Sequence, residues 1–277
     1  MSNVVITGAT AGIGRAAAIL LANKGHQVFA CGRNESSLAE LDSAHSRITS
    51  IALDVTDTDS VNAAAAAVTE ALNGHAPDVL VNNAGFALVG PLEEIADEDW
   101  ERQYQTNVLG LVRVTRAFLP AMRERRRGRI INVSSVAGRV TMPFFGPYNS
   151  SKHAVESISD SLRHELRPHG LQVVVIEPGA VKTRFGSLEQ EQIEHWIDHA
   201  PAYAAQLQIL KRFHRDLHAK GADPVSVAGK LVAACELPDP SPRQVVPFFP
   251  GSVFIAIKSL LPTRLTDWVI RHLTKLP

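Results

Sequence analysis

Cysteine is nearly absent. Cys31 and Cys235 are the only two in 277 residues, and their separation fits neither a disulfide framework nor a metal-ligand spacing. A reducing compartment is the expectation, with the cytoplasm as the default address. Neither sign of charge is in excess: 28 basic and 28 acidic side chains cancel, so no net field recruits nucleic acid or an anionic membrane. Partners must then be read from local sites. No apolar run approaches the roughly 18 residues of a membrane-crossing helix. Met1-Ser2-Asn3 passes at once into an apolar strand, leaving no room for a signal or transit segment. Tyrosine is scarce too, and one of the three, Tyr148, stands four residues before Lys152.

What is present is apolar bulk. At 45% hydrophobic residues the chain can bury a sizeable core, and we favour one α/β domain over residues 1–277 rather than two small ones. Short β-branched runs at Val4 to Thr7, His26 to Cys31, Ile48 to Val55, Asp78 to Asn82, Arg129 to Val133 and Leu171 to Ile176 read as strands. Gly12 to Lys24, Glu35 to Asp42, Asp57 to Leu72, Asp97 to Arg126 and Tyr148 to Arg167 between them read as helices. A helix from Pro224 to Leu237 and a seventh strand, Gln244 to Pro247, follow. Alternation of this kind implies a parallel sheet of about seven strands with helices on both faces, whose ligands bind outside the carboxyl ends of the strands.

The chemistry-bearing residues fall at those ends. The first strand runs into Thr7-Gly8-Ala9-Thr10-Ala11-Gly12-Ile13-Gly14 and then a helix. Glycines allow a tight turn and close backbone approach to a pyrophosphate, which the amides of a helix N-terminus hold. An ordinary glycine-rich loop is the plainer alternative, but the strand before and the helix after favour a dinucleotide. The second strand ends at Gly32-Arg33, where NAD-binding proteins usually place an acid against the ribose. Gly32 does not repel a 2′-phosphate and Arg33 can clamp one, which favours NADP; otherwise Arg33 is a solvated helix start. Ala11 tempers this, since NADP binders often carry a second basic residue in that loop. Asp54-Val55 suits an adenine ring or merely caps its loop. Asn82-Asn83-Ala84-Gly85 allows close approach to a cofactor or forms a turn. Asn107, inside a helical stretch, reads locally as a solvated polar residue.

Tyr148 and Lys152 share a helix face, so the ammonium can sit beneath the phenol. Bringing a phenol from pKa ~10 to neutrality takes about 3 units, roughly 4 kcal/mol. One positive charge at ~4 Å in an effective dielectric of about 20 supplies that much. The alternative is a surface helix pair, and the spacing alone does not decide.

Taken together, TGATAGIG at 7 to 14, DV at 54 to 55, NNAG at 82 to 85, Asn107, SS at 134 to 135, YNSSK at 148 to 152 and EPGAVKT at 177 to 183 resemble the compact branch of the short-chain dehydrogenase/reductase family. They run in family order through about two thirds of the chain. The resemblance implies a three-layer Rossmann fold and hydride transfer between a nicotinamide and an alcohol or ketone. It selects Ser135 over Ser134, thirteen positions before the tyrosine, as the residue that holds the substrate oxygen, and Tyr148 as the proton donor. It makes Lys152 the ribose ligand that lowers the tyrosine pKa, and Asn107 a fourth catalytic position holding a water. Gly8, Thr10, Gly12, Ile13 and Gly14, Arg33, Asp54 and Val55, Asn83, Ala84 and Gly85, Tyr148 and Lys152, and Pro178, Gly179, Val181 and Thr183 become the cofactor contacts. A homodimer or homotetramer through the helices carrying Asn107 and Tyr148 is implied as well.

Substrate choice is expected in a helical lid at 184–222, with Ile193 to Ile209 as its helix. His195 with His199, and His214 with His218, are i,i+4 pairs that could hold a metal, but no carboxylate stands in zinc-hydrolase spacing and the hydride chemistry needs none. The expectation is no metal. Five arginines between Arg123 and Arg129 read as a solvated helix end rather than a nucleic-acid patch. The tail at 252–276 alternates Phe254, Ile257, Leu260, Leu261, Leu265, Trp268, Val269 and Leu273 with Lys258, Arg264, Arg271 and Lys275. It suits a membrane surface, a greasy substrate, or packing on the domain or a second subunit. IEPGAVKTRF and this tail also look like the steroid and retinoid dehydrogenase group, which favours an apolar alcohol or ketone.

Overall fold

Val4, Val5 and Ile6 have no solvent exposure at all, as a β-branched run buried on both sheet faces requires. The structure, a computed structural model, describes residues 1–248 and 251–276. Seven strands, β1 (Asn3–Thr7), β2 (Gln27–Gly32), β3 (Ile48–Ala52), β4 (Val79–Asn82), β5 (Gly128–Val133), β6 (Leu171–Pro178) and β7 (Arg243–Val246), form one sheet. Its order is β3-β2-β1-β4-β5-β6-β7, every pair parallel. Strand order reverses between β1 and β4, so the crevice above their carboxyl ends is the natural ligand site.

Helices cover both faces. Helix α1 (Gly12–Asn23) and the later α9 (Pro224–Glu236) pack one apolar cluster with Leu41 of α2 (Glu35–Ala44). On the other face α3 (Thr58–Ala71), α5 (Leu111–Glu124) and the end of α6 (Gly146–Leu166) pack a second cluster. Starts are set locally: the side chains of Asn34, Asp57 and Asp223 each accept an amide of their own first turn. This is the three-layer Rossmann fold.

Several expected boundaries shift, each for a physical reason. The single helix expected from Asp97 to Arg126 is α4 (Asp97–Tyr104), a π-helical turn over Gln105–Gly110, and α5. The expected strand to Val55 stops at Ala52, because Asp54 folds back onto Thr56. In the segment expected as a lid, Pro201 lacks the amide to continue a helix, so one expected helix becomes α7 (Arg184–His199) and α8 (Ala204–Ala219). The tail is α10 (Gly251–Ile257) and α11 (Thr263–Thr274), with Pro262 before the second. The side chain of Phe254 lies outside the described residues.

The arginine cluster is a solvated helix end only in part: Arg123, Arg126 and Arg127 are exposed, whereas Arg125 and Arg129 are engaged. Arg129 lies on β5, buried, and donates to the carbonyls of Ala234, Cys235 (2.9 Å) and Leu237 (2.7 Å). It therefore caps the carboxyl end of α9 from across the sheet. Arg125 donates to the carbonyls of Ala76 (2.9 Å) and Pro77 (2.8 Å) and pairs with Asp78 at 3.3 Å.

Candidate active site

The glycine loop after β1 is held by the end of β4. Thr7 Oγ1 accepts the amides of Asn83 (3.0 Å) and Ala84 (3.1 Å), and Asn83 Nδ2 donates to the carbonyls of Thr7 and Gly8, both 3.0 Å. Gly8 is in the left-handed region at φ 64°, and a Cβ there would lie 2.8 Å from the Ala84 backbone. A Cβ on Gly14 would sit 2.5 Å from both Asn83 Nδ2 and the Gly8 carbonyl. Both positions thus exclude any side chain, and the loop keeps its amides at the α1 N-terminus, a cradle suited to a pyrophosphate. Ile13 packs into the core beneath it. Thr10 closes against Gly32, and Thr183 stands 3.4 Å from where a Cβ on Gly12 would be.

At the end of β2, the exposed guanidinium of Arg33 pairs with Asp54 at 3.8 Å. Burial acts to raise the Asp54 carboxyl, but hydrogen bonds from Thr56 and the charge of Arg33 outweigh it and hold it below the usual range. Val55 packs against Gly110 of the π-helical turn, which a Cβ would bring to 2.7 Å. Val181 is buried and bridges to Ala222, while the Gly179 amide donates to Val246 at 3.0 Å.

The four expected catalytic side chains converge. Asn107, Ser135, Tyr148 and Lys152 are all buried, from the π-helical turn, the end of β5 and one face of α6. Lys152 Nζ lies 5.8 Å from the Tyr148 ring centroid and donates to the Val133 carbonyl at 2.9 Å. Ser135 Oγ shares a hydrogen bond with the Tyr148 phenol, accepts the Ala137 amide at 3.1 Å and reaches the Pro178 carbonyl at 3.4 Å. Asn107 is no solvated residue: Nδ2 donates to the Phe86 carbonyl (2.9 Å) and Ser151 Oγ (3.0 Å), and Oδ1 accepts the Phe86 amide at 3.1 Å. A π turn inserts one residue into the helical repeat and so swings Asn107 inward. Gly85 allows this, since its Cβ would meet Asn107 Oδ1 at 3.0 Å and Lys152 Nζ at 3.8 Å.

Electrostatically the site departs from expectation. Burial lowers Lys152 to about 8, opposed by Glu156. Burial, then the charge of Glu189, pushes the Tyr148 phenol well above its ordinary value, with only the Ser135 hydrogen bond acting against them. No lowering by Lys152 stands among these causes, and burial acts against the charged form of Lys152 as well. Tyr148 is therefore the neutral phenol across ordinary pH, the form that donates a proton.

Sequence reasoning missed three supports. A buried polar ladder runs under the site: Asn82 Nδ2 donates to Asn132 Oδ1 (2.9 Å) and Thr115 Oγ1 (3.0 Å), and Asn132 Nδ2 to Ser159 Oγ (2.9 Å). Behind Pro178, buried Glu177 meets Arg139 at 3.2 Å and Arg243 at 3.0 Å, and Arg243 also pairs with Glu156 and Asp160, each at 2.9 Å. Between α7 and α8, Glu189 stands against His214 and His218, whereas His195 and His199 stack on each other at 4.1 Å near the surface. Polar letters at strand ends signal the first group; the other two are long-range pairs that sequence spacing does not reveal.

Residues 2–194 match the short chain dehydrogenase family. The chain belongs to that family. It is 33% identical over 273 residues to the NADPH-dependent 3-dehydrocapnine reductase of Ornithobacterium rhinotracheale, covering 96% of this chain and 95% of that protein. It is 31% identical over 270 residues to the 3-ketodihydrosphingosine reductase of Bacteroides thetaiotaomicron, covering 97% and 96%. Among solved structures, the closed form of serine dehydrogenase complexed with NADP+ superposes with a TM-score of 0.75 at 31% identity, covering 88% of this chain and 94% of that one. As a short-chain dehydrogenase the chain is an NAD(P)-dependent oxidoreductase acting on small molecules. Among the described residues no helix is long and apolar enough to cross a membrane.

Proposed function

We propose that this short-chain dehydrogenase interconverts an apolar, lipid-like ketone and its secondary alcohol with NADP(H). The observation that carries this is the wall around Tyr148: Phe145, Ile193, Leu207 and Leu210 are buried with it, and Phe144, Phe185, Trp196, Tyr203 and Phe213 pack against them. Such a wall favours apolar surface and offers little to a charged substrate. Two relatives named for a 3-dehydrocapnine and a 3-ketodihydrosphingosine agree with a lipid ketone. NADP is supported by Gly32 and Arg33 at the end of β2, by the NADPH-dependent relative and by the NADP+ complex.

When bound, the nicotinamide supplies or accepts the hydride. Gly8, Thr10, Gly12, Ile13 and Gly14 would hold the pyrophosphate, Arg33 the 2′-phosphate, and Asp54 with Val55 the adenine. Asn83, Ala84 and Gly85 would border the ribose that Lys152 binds, and Pro178, Gly179, Val181 and Thr183 the nicotinamide. Tyr148 donates its phenolic proton to the substrate oxygen in the reductive direction, while Ser135 Oγ donates a hydrogen bond to that oxygen. Asn107, with one Oδ1 lone pair remaining, would hold a water beside Lys152.

The segment 184–222 acts in this reading as the lid, within one domain spanning residues 1–277. Exposed Leu109, within the π-helical turn, supports a homodimer or homotetramer through α4, α5 and α6. Exposed Leu265, Trp268 and Leu273 on α11, flanked by Arg264, Arg271 and Lys275, support a peripheral membrane contact of the tail. Two free buried cysteines are consistent with the cytoplasm. The rival, a cofactor-binding sensor without chemistry, leaves the convergence of Asn107, Ser135, Tyr148 and Lys152 without a purpose.

Oxidation of NADPH across a panel of sphingoid, steroid and short polar ketones tests the proposal. Turnover with the apolar members, reduced about 10²–10⁴-fold in Tyr148→Phe, is expected. Turnover confined to short polar ketones removes the substrate class; none with any substrate favours the sensor; full activity in Tyr148→Phe removes the proton donor.

A further inference from the structure

Two helices of the lid face each other through a cluster that the hydride chemistry does not use. Glu189 of α7 is buried, as is His214 of α8, and His218 one turn later is partly exposed. His214 Nε2 lies 3.0 Å and His218 Nε2 3.3 Å from the same oxygen, Glu189 Oε2, and the three donor atoms lie within 4.8 Å of one another. We propose that Glu189, His214 and His218 form a zinc site that fastens α7 to α8.

The hydrogen inventory supports a cation there. Gln190 Nε2 donates to Glu194 Oε1 at 3.2 Å, and Lys211 pairs with that same oxygen at 2.9 Å. This turns Gln190 Oε1 toward His214 Nδ1 at 3.1 Å, so Nδ1 carries the hydrogen. In the neutral ring, Nε2 then presents a lone pair to a carboxylate oxygen. Two lone pairs face each other across such a gap only with a cation between them, a shared proton or a metal ion, and the second histidine on the same oxygen favours the metal. Zinc bound at about 2.0–2.2 Å by nitrogen and oxygen donors sets tetrahedral neighbours about 3.3–3.6 Å apart, so the His218 contact already fits and the His214 contact opens by a few tenths of an ångström on binding. One carboxylate and two imidazoles are a familiar donor set for it, and they leave a fourth position for water.

The surroundings are shaped for the ligands. Gln190 fixes the His214 tautomer as an outer-shell partner does. Gly186, one turn before Glu189, gives the His218 ring its place, for a Cβ there would lie 2.3 Å from His218 Nδ1. Phe145 stacks on His214 with ring centroids 6.3 Å apart, and Phe145 and Tyr148 share one apolar cluster. The bound ion therefore fixes the lid against the wall of the substrate site without touching the reacting atoms. His218, the exposed member, is the way in.

The test uses the full chain without a histidine tag, stripped with chelator and titrated with zinc alone against a chromogenic competitor. One equivalent per chain is expected, together with a raised melting temperature and, on cobalt substitution, the visible bands of a four-coordinate site. His218→Ala and Glu189→Gln should each lose at least about tenfold in affinity, and Gln190→Ala about 10–100-fold through the second shell. His195→Ala with His199→Ala should bind as wild type does. If His214→Ala fails to fold, His218→Ala, at the exposed edge, still decides. Absence of stoichiometric zinc, or equal binding by wild type and His218→Ala, overturns the site and leaves two histidines hydrogen-bonded to one carboxylate; binding lost only in the His195, His199 variant moves the site to the surface.

Discussion

Replacing Glu177 by glutamine should make the protein more stable at alkaline pH and leave it nearly unchanged in mild acid. Glu177 has no exposed side-chain surface and sits behind Pro178 on β6. Burial first, then the charge of Glu156 on α6, raise its carboxyl to about 7 despite Arg139 after β5 and Arg243 on β7. Asp160, also on α6, shares Arg243 with Glu156, so one guanidinium serves three carboxylates. Oε2 of Glu177 and Oε1 of Glu156 have no partner of their own, and a proton on Glu177 supplies a donor where both lack one. The sign follows from proton counts. An unfolded glutamate releases its proton near the ordinary 4.5, the folded one near 7, so the native state holds the extra proton between these values. Stability is thus fullest in acid and falls as pH rises through that window. Each unit is worth about 1.4 kcal/mol, and discounting for the water that reaches the two partly exposed arginines leaves ~2 kcal/mol. Urea unfolding of wild type and Glu177→Gln at pH 5 and pH 8 measures it. A variant less stable than wild type at pH 8 would show that the ionised carboxylate and its arginines are net stabilising, which refutes the reasoning.

At the other end of the cofactor crevice, Arg33→Asp should raise the NAD to NADP preference by about 10–100-fold, the worth of one charge-assisted phosphate contact; an unchanged ratio of kcat/KM values removes Arg33 from cofactor choice. Sedimentation of the chain and its flotation with vesicles check the two surface assignments separately. The chain alone should run as a dimer or tetramer, and a monomer at micromolar concentration contradicts the interface. Flotation with anionic vesicles should retain wild type and release Trp268→Ala; equal retention returns α11 to packing.

The strands were legible because a run such as Val4-Val5-Ile6 has one stable place, the middle of a sheet covered on both faces. The glycine loop was legible because Gly8 and Gly14 answer to local backbone geometry. Asn107 was not, since helix formers flank it on both sides and the π turn that redirects it has no mark of its own; only the family pattern found it. Arg129 reads as one more basic residue in a run, and its role depends on the end of α9 more than a hundred residues later. Glu189 was invisible as a partner for His214 because α7 and α8 meet only after Pro201 has reversed the chain. The Tyr148 to Lys152 spacing put the two groups on one helix face, but it could not reveal that the fold buries both, which acts against the charged form of either.

The six residues Gln105–Gly110 carry one more residue than a regular turn would place there. Removing any one of them would heal the helix into an unbroken rod, and by the usual criteria of propensity it would look improved. Yet five regular residues at about 100° each turn the chain about as far as the six wider-wound residues of the π turn, so the flanking helices would keep their phase and the residues between them would be re-aimed. Asn107 would leave Ser151 and Phe86, and Gly110 would no longer meet Val55. The irregularity is what aims Asn107 between two half-helices that are already in phase, and a shorter, smoother version of this chain would fold well and be idle.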